Sequence, residues 1–130
     1  AAMEIELVSF GYRHGAPEAA DLMIDVRFLP NPNFEPALRA RTGLEPDVAA
    51  FVLDSPHTRE FMTRLCEFID FLIPRYEAEG KAHLTVALGC TGGQHRSVAV
   101  ACALDRHLRE RKIDVRVTHR DVARARRSEP

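Results

Sequence analysis

Residues 83–111 combine an apolar strand, a glycine-rich turn and a helical pattern without a break between them. The run "HLTVALG" is apolar almost throughout, which is typical of a central strand buried on both faces. The turn "CTGGQH" follows, and a helix is predicted from about Arg96 to Arg111. Its apolar residues repeat at helical spacing and should face the core at Val98, Ala101, Leu104 and Leu108. A strand that turns directly into a helix is the basic unit of parallel α/β sheets.

The rest of the chain supplies the other elements of such a sheet. Period-two alternation predicts strands at residues 4–10, 22–27 and 114–119, and a short helix should begin at Asp47. A long helix should run from about residue 58 to residue 79, kinked or split by Pro74. Its buried stripe would comprise Phe61, Leu65, Phe68, Ile69, Leu72 and Tyr76. The predicted fold class is α/β: a small, mostly parallel sheet of about four strands flanked by helices, with a ligand crevice at the strand C-terminal ends.

The chain has the organisation of a single domain. Its 130 residues contain neither internal repeats nor a linker, so we expect one domain over residues 1–130. Residues 1–2 ahead of Met3 indicate a cloning remnant, in which case Met3 would start a complete small protein, and residues 120–130 form a basic tail. No apolar run approaches the roughly 18–20 residues of a membrane span, and the acidic start is unlike a signal or transit peptide.

The cysteines bear on the cellular compartment. Cys66, Cys90 and Cys102 show neither the spacing of a metal site nor that of a disulfide framework. Cys66 and Cys102 fall inside helical patterns and are expected in the core. We therefore expect a reduced, cytoplasmic protein without a metal or a cofactor.

The net charge of −1 hides an asymmetry along the chain. Residues 1–80 carry 7 Lys/Arg against 14 Asp/Glu, whereas residues 81–130 carry 11 against 5. The basic half either attracts an anionic partner or pairs with the acidic half inside the fold. Charge alone leaves both alternatives open.

The turn "GCTGGQHRS" has the chemistry of an anion site. Gly92 and Gly93 allow the main chain to turn sharply and bring its N–H groups close to a ligand. The following helix begins near Arg96, so its unsatisfied N–H groups and its positive dipole end face the turn. The Arg96 guanidinium suits two phosphate oxygens, and Thr91 and Ser97 offer hydroxyl groups. The sequence therefore predicts a site for a dianionic phosphate.

Two kinds of phosphate loop can be compared with this turn. A nucleotide-binding P-loop requires Lys six residues after its first glycine, and that position, counted from Gly89, is His95. The spacing Cys90-x5-Arg96-Ser97 instead resembles the loop of cysteine-dependent phosphatases, in which a thiolate attacks phosphorus. The residues alone leave three functions open: a ligand-binding domain, a small phosphatase with Cys90 as nucleophile and Arg96 as clamp, and a protein-interaction module.

Five blocks of sequence extend the comparison to nearly the whole chain. They are "SFGYRHG", "DVRFLPNPNF", "LRARTGLEPDV", "GCTGGQHRSV" and "THRDV", and the match around them extends from Leu7 to about Arg124. In order and spacing they resemble the C-terminal domain of the RapZ family of RNase adapter proteins. In that family the domain follows an N-terminal nucleotide-binding domain with a Walker loop, so we expect this chain to be an excised piece or a stand-alone relative.

The resemblance implies a sensor and adapter that is not an enzyme. It implies that the domain binds glucosamine-6-phosphate, that it binds small regulatory RNA and presents it to an endoribonuclease, and that it self-associates, for which we expect a homodimer. Two residues of the implied pocket, Asp25 and Arg27, could form a structural ion pair instead of contacting the ligand. By position, the pocket comprises Asp25, Arg27, Asn31, Asn33, Cys90, Thr91, Gly92, Gly93, His95 and Arg96, to which Ser97 adds its hydroxyl group.

Two positions depart from the family's pattern. Gln94 stands where the family has a lysine, which removes one cation near the loop. Asn33 stands where the family typically has a histidine. An amide and an imidazole differ in reach and charge, so the identity of the sugar phosphate stays open.

Basic residues near the C-terminus are the candidates for RNA binding. Between residues 106 and 127, nine Lys/Arg accompany three acidic residues, and arginine-rich segments attract phosphate backbones. No aromatic residue is interleaved with these arginines, so a solvated tail is the alternative. The candidates are Arg116, His119, Arg120, Arg124, Arg126 and Arg127.

Overall fold

The computed structural model describes residues 3–123, and the elements occur in the predicted order. Two short 3-10 turns, Tyr12–His14 and Pro32–Phe34, lie in the connections that follow the first two strands. The strands and helices are β1 (Glu4–Gly11), β2 (Leu22–Asp25), α1 (Pro46–Leu53), α2 (Pro56–Glu79), β3 (His83–Cys90), α3 (Arg96–Glu110) and β4 (Val115–His119).

The strands form one sheet in the order β2-β3-β1-β4, and every pairing is parallel. This confirms the α/β class and makes the sheet all-parallel rather than mostly parallel. Gly11 is in register with Cys90 between β1 and β3, and Asp25 is in register with Gly89 between β2 and β3. The carboxyl ends of β1, β2 and β3 therefore meet at one edge of the sheet.

The core lies between one face of the sheet and the helices. Side chains such as Leu7 of β1 and Val86 of β3 form a single cluster with residues of α2 and α3. The inward residues predicted for α3 are confirmed, since Val98, Ala101, Leu104 and Leu108 are all fully buried.

The opposite face of β3 is only partly covered, because the sequence alternates there with polar or small residues. His83 is exposed at the start of the strand, whereas Gly89 at its end lies under two aromatic rings. A Cβ atom on Gly89 would come within 2.4 Å of the Phe10 ring and 2.6 Å of the Tyr12 ring. The expectation that β3 is buried on both faces therefore holds only at its carboxyl end.

Helix α2 runs through Pro74 without a break, so the predicted split is wrong. Proline removes only one helical hydrogen bond, and the buried residues Ile69 and Ile73 hold the preceding turns against the core. Ser55 caps the N-terminus by accepting the Thr58 N–H at 3.1 Å. Phe68 was predicted to lie in the buried stripe of this helix, but it is 48% exposed, so that part of the prediction is wrong.

Two boundaries differ from the predictions for local reasons. Strand β2 ends at Asp25, because Val26 begins a turn that the Leu29 N–H closes on the Val26 carbonyl at 3.2 Å. The predicted basic tail starts at Arg120, but Arg120 and Asp121 form a turn packed against β1. Of the helices in residues 3–123, none has the length and apolar character needed to cross a membrane.

Candidate functional site

The site lies where β3 passes into α3, at the carboxyl edge of the sheet. We call residues 91–95 the glycine loop. Gly93 has a φ of 81°, which glycine adopts without strain. The loop packs directly on the end of β1: a Cβ atom on Gly11 would lie 2.4 Å from the Gly92 carbonyl carbon, and one on Gly93 would lie 2.7 Å from the Gly11 nitrogen. Both positions therefore require glycine.

The main chain of the glycine loop uses its carbonyl groups for internal contacts. The Thr91 carbonyl accepts the Arg13 N–H at 3.0 Å, and the Gln94 carbonyl accepts the Gly43 N–H at 2.8 Å. By contrast, within residues 3–123 the main-chain N–H groups of residues 91–94 donate to no acceptor on the chain. Because the carbonyls are held by the protein, these donors remain available to an anion.

Arg96 is the first residue of α3, directly after the loop, and is 6% exposed. Its Nη1 donates to the main-chain carbonyl of Arg27 and, at 3.5 Å, to that of Leu29. Its Nη2 lies 3.5 Å from the Thr91 hydroxyl, whereas its buried Nε has no acceptor in the described chain. Burial lowers the pKa of Arg96, with Cys90 and Asp25 acting in the opposite direction, and the guanidinium stays charged.

Cys90 and Ser97 lie on the core side of the loop. The Cys90 side chain is 2% exposed and belongs to the hydrophobic cluster. Its thiol donates to the Ser97 hydroxyl at 3.2 Å. Ser97 is fully buried, so this pair connects the end of β3 to the first turn of α3.

His95 joins the loop to the segment before α1. Its Nε2 lies 3.0 Å from the Arg39 carbonyl, so this nitrogen is the donor. A Cβ atom on Gly43 would come within 2.4 Å of the His95 carbonyl oxygen. His95, which the sequence predicts to contact a ligand, therefore also holds residues 39–43 against the loop. The sequence could not show this role, because residues 39–43 are far from the loop along the chain.

Asp25 and Arg27 form the ion pair that the sequence left as an alternative to a ligand clamp. Arg27 Nη2 lies 2.7 Å from Asp25 Oδ2, and its guanidinium also lies 4.0 Å from the centroid of the Tyr12 ring. The hydrogen bond from Arg27 lowers the pKa of Asp25, and burial raises the pKa of Tyr12. Both side chains of the pair are about half exposed, so they can still meet a ligand.

Asn31 and Asn33 lie in the turn that follows. The Asn31 side chain accepts the Asn33 N–H at 3.0 Å, and the Asn33 carbonyl accepts from Arg39 Nε at 2.8 Å. The Asn33 side chain is exposed. The structure thus connects several of the predicted pocket residues: Arg96 contacts the carbonyls of Arg27 and Leu29, and His95 and Asn33 both contact Arg39.

The candidates for RNA binding have different environments. Arg116 is exposed on β4. His119 instead faces inward, where its Nδ1 lies 2.7 Å from the Ser9 hydroxyl and its Nε2 lies 3.7 Å from Cys102 Sγ. Burial lowers the pKa of His119. Arg124, Arg126 and Arg127 lie outside the described residues.

Arg120 is held by internal contacts. Its Nη2 donates to the Gly15 carbonyl at 2.6 Å and to Asp121 Oδ2 at 2.7 Å. Asp121 is fully buried and accepts the Gly11 N–H at 2.8 Å. Sequence reasoning missed Gly11, Tyr12, Gly43 and Asp121. The positions of Gly11 and Asp121 at or just after strand ends were the available signal, since parallel strands end at the same edge.

Among the described residues, only some basic side chains of residues 81–130 form ion pairs with acidic side chains of residues 1–80. Lys81 pairs with Asp21 at 2.8 Å, and Arg111 pairs with Asp70 at 3.2 Å. Other basic residues of the second half pair within that half, as Arg109 does with Asp105 at 2.7 Å. The basic half therefore keeps exposed cations such as Arg116.

Comparisons with known proteins agree with this architecture. The model of the family described as RapZ C-terminal domain matches residues 3–123. The chain is 54% identical over 122 residues to a nucleotide-binding protein of Desulforudis audaxviator, covering 94% of this chain and 42% of that protein. It is 52% identical over 124 residues to a nucleotide-binding protein of Rubrobacter xylanophilus, covering 92% and 41%.

A nucleotide-binding protein of Myxococcus xanthus is 51% identical over 118 residues, which cover 91% of this chain and 41% of that protein. The chain thus spans about two fifths of the length of these curated relatives. The family match covers nearly every residue and includes the whole sheet and the glycine loop. The chain belongs to the RapZ C-terminal domain family.

Proposed function

We propose that this domain is a non-enzymatic, cytoplasmic sensor and adapter that binds a phosphorylated sugar at the glycine loop. Membership of the RapZ C-terminal domain family supports a regulatory or adapter role. The family resemblance makes glucosamine-6-phosphate the first ligand to test. It also makes small RNA and an endoribonuclease the first macromolecular partners to test, and a homodimer the first assembly.

One observation carries the phosphate part of the proposal. The N–H groups of residues 91–94 have no acceptor within the described chain, and the buried Arg96 guanidinium lies 3.5 Å from the Thr91 hydroxyl of the same loop. Two further donors in this region, Gln94 Nε2 and Arg96 Nε, are buried without a partner there. Unsatisfied buried donors cost about 1–3 kcal/mol each, and oxygens of a dianion would relieve that cost.

The other end of the crevice suits the sugar. Asp25 offers carboxylate oxygens to hydroxyl or ammonium groups, and Arg27 offers donors beside it. The exposed Asn33 side chain adds a neutral donor and acceptor at the rim. In this proposal the glycine loop supplies affinity for the phosphate, and residues 25–33 select the sugar.

The RNA-binding part depends on the basic half. Arg116 is exposed, and Arg124, Arg126 and Arg127 follow Asp121 closely in the chain. His119 and Arg120 make internal contacts, so we assign them a supporting role in this surface. Backbone phosphates of RNA are the chemistry that such arginines attract.

A titration of ¹⁵N-labelled protein tests the phosphate site. We expect inorganic phosphate and glucosamine-6-phosphate to shift the amide signals of Gly92 and Gly93, and glucosamine without phosphate to leave them in place. Arg96→Lys should weaken both ligands about tenfold or more, because a point charge cannot replace the buried fork. Arg64→Lys, in an exposed pair on α2, is the matched control. Binding that is absent in wild type, or equal in Arg96→Lys, would contradict the proposal.

A cysteine-dependent phosphatase is the second candidate: the contact between Cys90 Sγ and Ser97 Oγ at 3.2 Å fits its loop, whereas the 2% exposure of Cys90 within the hydrophobic cluster disfavours attack on a ligand. In that mechanism the thiolate would attack phosphorus while Arg96 holds the oxygens. Wild type and Cys90→Ser are therefore assayed on aryl and sugar phosphates. Turnover in wild type that disappears in Cys90→Ser would establish the phosphatase and overturn the sensor.

A further inference from the structure

The carboxylate of Asp121 is a charged group in an unexpected place. It is fully buried where β4 has just ended, at the back of the glycine loop. The donors that hold it there include the Arg120 guanidinium at 2.7 Å and 3.0 Å and the Gly11 N–H at 2.8 Å. An isolated buried carboxylate is strongly unfavourable, so these contacts must persist for the turn to keep its position.

Asp121 touches the same glycines that shape the loop. A Cβ atom on Gly93 would lie 2.8 Å from the Asp121 Cβ and 2.7 Å from the Gly11 nitrogen. The hydrogen bond from the Gly11 N–H to Asp121 therefore fixes the atom against which Gly93 packs. Movement of Asp121 would move the support of Gly93 directly.

Arg120 ties this arrangement to the rest of the sheet edge. Its Nη2 also donates to the Gly15 carbonyl at 2.6 Å, and its guanidinium lies 5.6 Å from the centroid of the Phe10 ring. Its main-chain N–H donates to the Ser9 carbonyl at 3.0 Å. The Arg120–Asp121 pair is thus held by main-chain atoms of β1 and of the segment after it.

We propose that Asp121 is a positioning residue for the anion site, which sets the orientation of the Gly92 and Gly93 amides through Gly11. This inference rests on the proposed function at the glycine loop. Asp121 is separated from the ligand by the loop itself, so its effect is on the geometry of the donors. Amides whose direction is fixed before binding lose less entropy when the anion arrives.

The test compares Asp121→Asn with two controls in the full chain. Asp105→Asn removes the carboxylate of a similar aspartate–arginine pair on α3. Ile69→Val is a destabilising change at a fully buried position of α2, remote from the loop. The measurements are inorganic phosphate affinity, the ¹⁵N and ¹H chemical shifts of the Gly92 and Gly93 amides without ligand, and thermal stability.

We expect Asp121→Asn to weaken phosphate binding about tenfold, which corresponds to the loss of one hydrogen bond to a charged group. The amide signals of Gly92 and Gly93 should also shift in the absence of phosphate, because the direction of these N–H groups changes. Ile69→Val should lose stability without either effect, which separates positioning from stability. Should Asp121→Asn fail to fold, Arg120→Lys keeps the charge, removes the two-pronged contact and is measured in the same way.

The outcomes separate the two proposals. Wild type that binds phosphate, together with unchanged affinity and unchanged Gly92 and Gly93 amide signals in Asp121→Asn, overturns the positioning role and leaves the phosphate site standing. Equal effects in Ile69→Val and Asp121→Asn also overturn the positioning role. Wild type that binds neither phosphate nor a sugar phosphate overturns the proposed function and this inference with it.

Discussion

Gly11 at the end of β1 and Gly92 in the glycine loop are in direct main-chain contact, so close that a Cβ atom on Gly11 would lie 2.4 Å from the Gly92 carbonyl carbon. The contact joins two segments that are about 80 residues apart in the sequence. It makes the shape of the anion site a property of the sheet edge as a whole.

Gly11→Ala should disturb the site more than its small size suggests. The added methyl group meets main-chain atoms that cannot rotate away, so we expect a loss of about 1–3 kcal/mol in unfolding free energy and weaker phosphate binding. Urea unfolding and phosphate titration measure the two effects. Gly15→Ala is the control, because nothing lies within 4 Å of its Cβ position, although its φ of 90° also carries strain. Phosphate affinity reduced equally in both variants would contradict the steric argument.

Arg27→Ala should separate ligand binding from stability. The Asp25–Arg27 pair is half exposed, and pairs of that kind contribute about 0–1 kcal/mol to stability. Stability should therefore change little, whereas sugar-phosphate affinity should fall about tenfold if Arg27 meets the ligand. Arg64→Ala removes a comparable exposed pair on α2 and should change neither quantity by much. An Arg27→Ala protein with wild-type affinity would assign the pair a purely structural role.

The stability of the domain should decline in mild acid through His119. Burial places the pKa of His119 below its usual value, with Asp105 acting in the opposite direction. The unfolded chain therefore takes up the proton first, and the contribution of neutral His119 is complete above the ordinary histidine pKa of about 6.5. It is lost as the pH falls from there towards the pKa of the folded protein.

Urea unfolding of wild type and His119→Gln at several pH values checks this prediction. The difference in unfolding free energy between the two proteins should shrink as the pH decreases below about 6.5. His57→Gln, at an exposed position of α2, should follow the wild type. A wild-type–His119→Gln difference that does not change with pH would show that His119 does not titrate in this range.

RNA binding, if the basic half provides it, should depend steeply on salt. Each phosphate contact contributes about 0.7–0.9 to the slope of log affinity against log salt concentration. Arg116→Ala should therefore lower the slope by about one contact, and truncation after Ala123, which keeps the buried Asp121 and removes the arginines that follow, should lower it further. Arg64→Ala serves as an exposed control in the acidic half. Absence of binding at low salt would remove the adapter proposal for this chain.

The sequence was most informative where the signals are local. The change from an apolar run to helical spacing across Gly92 and Gly93 identified β3, the loop and α3, and the comparison confirmed the family. The contacts that support the loop could not be predicted, because they join distant segments: Gly43 packs on His95, and Asp121 accepts from Gly11. Spacing along a chain carries no information about such approaches.

His119 illustrates a different limit. At the end of a strand beside arginines, it was a reasonable RNA-binding candidate, but alternation along β4 turns it towards Ser9 and the core. The prediction for Phe68 was wrong in the opposite direction. Helical spacing predicts that Phe68 is buried, but it is 48% exposed, and Ile73 is buried instead. A helix presents neighbouring positions within a broad arc, and packing decides which of them are covered.

The anchoring of Arg96 has a consequence for how this domain can diverge. Its guanidinium donates hydrogen bonds to the main-chain carbonyl oxygens of Arg27 and Leu29 rather than to their side chains. A main-chain carbonyl is present whichever amino acid occupies the position. Substitutions in the segment after β2 can therefore alter which molecule fits without loosening the arginine. A new ligand preference could therefore arise in this segment by single substitutions, while Arg96 keeps its position.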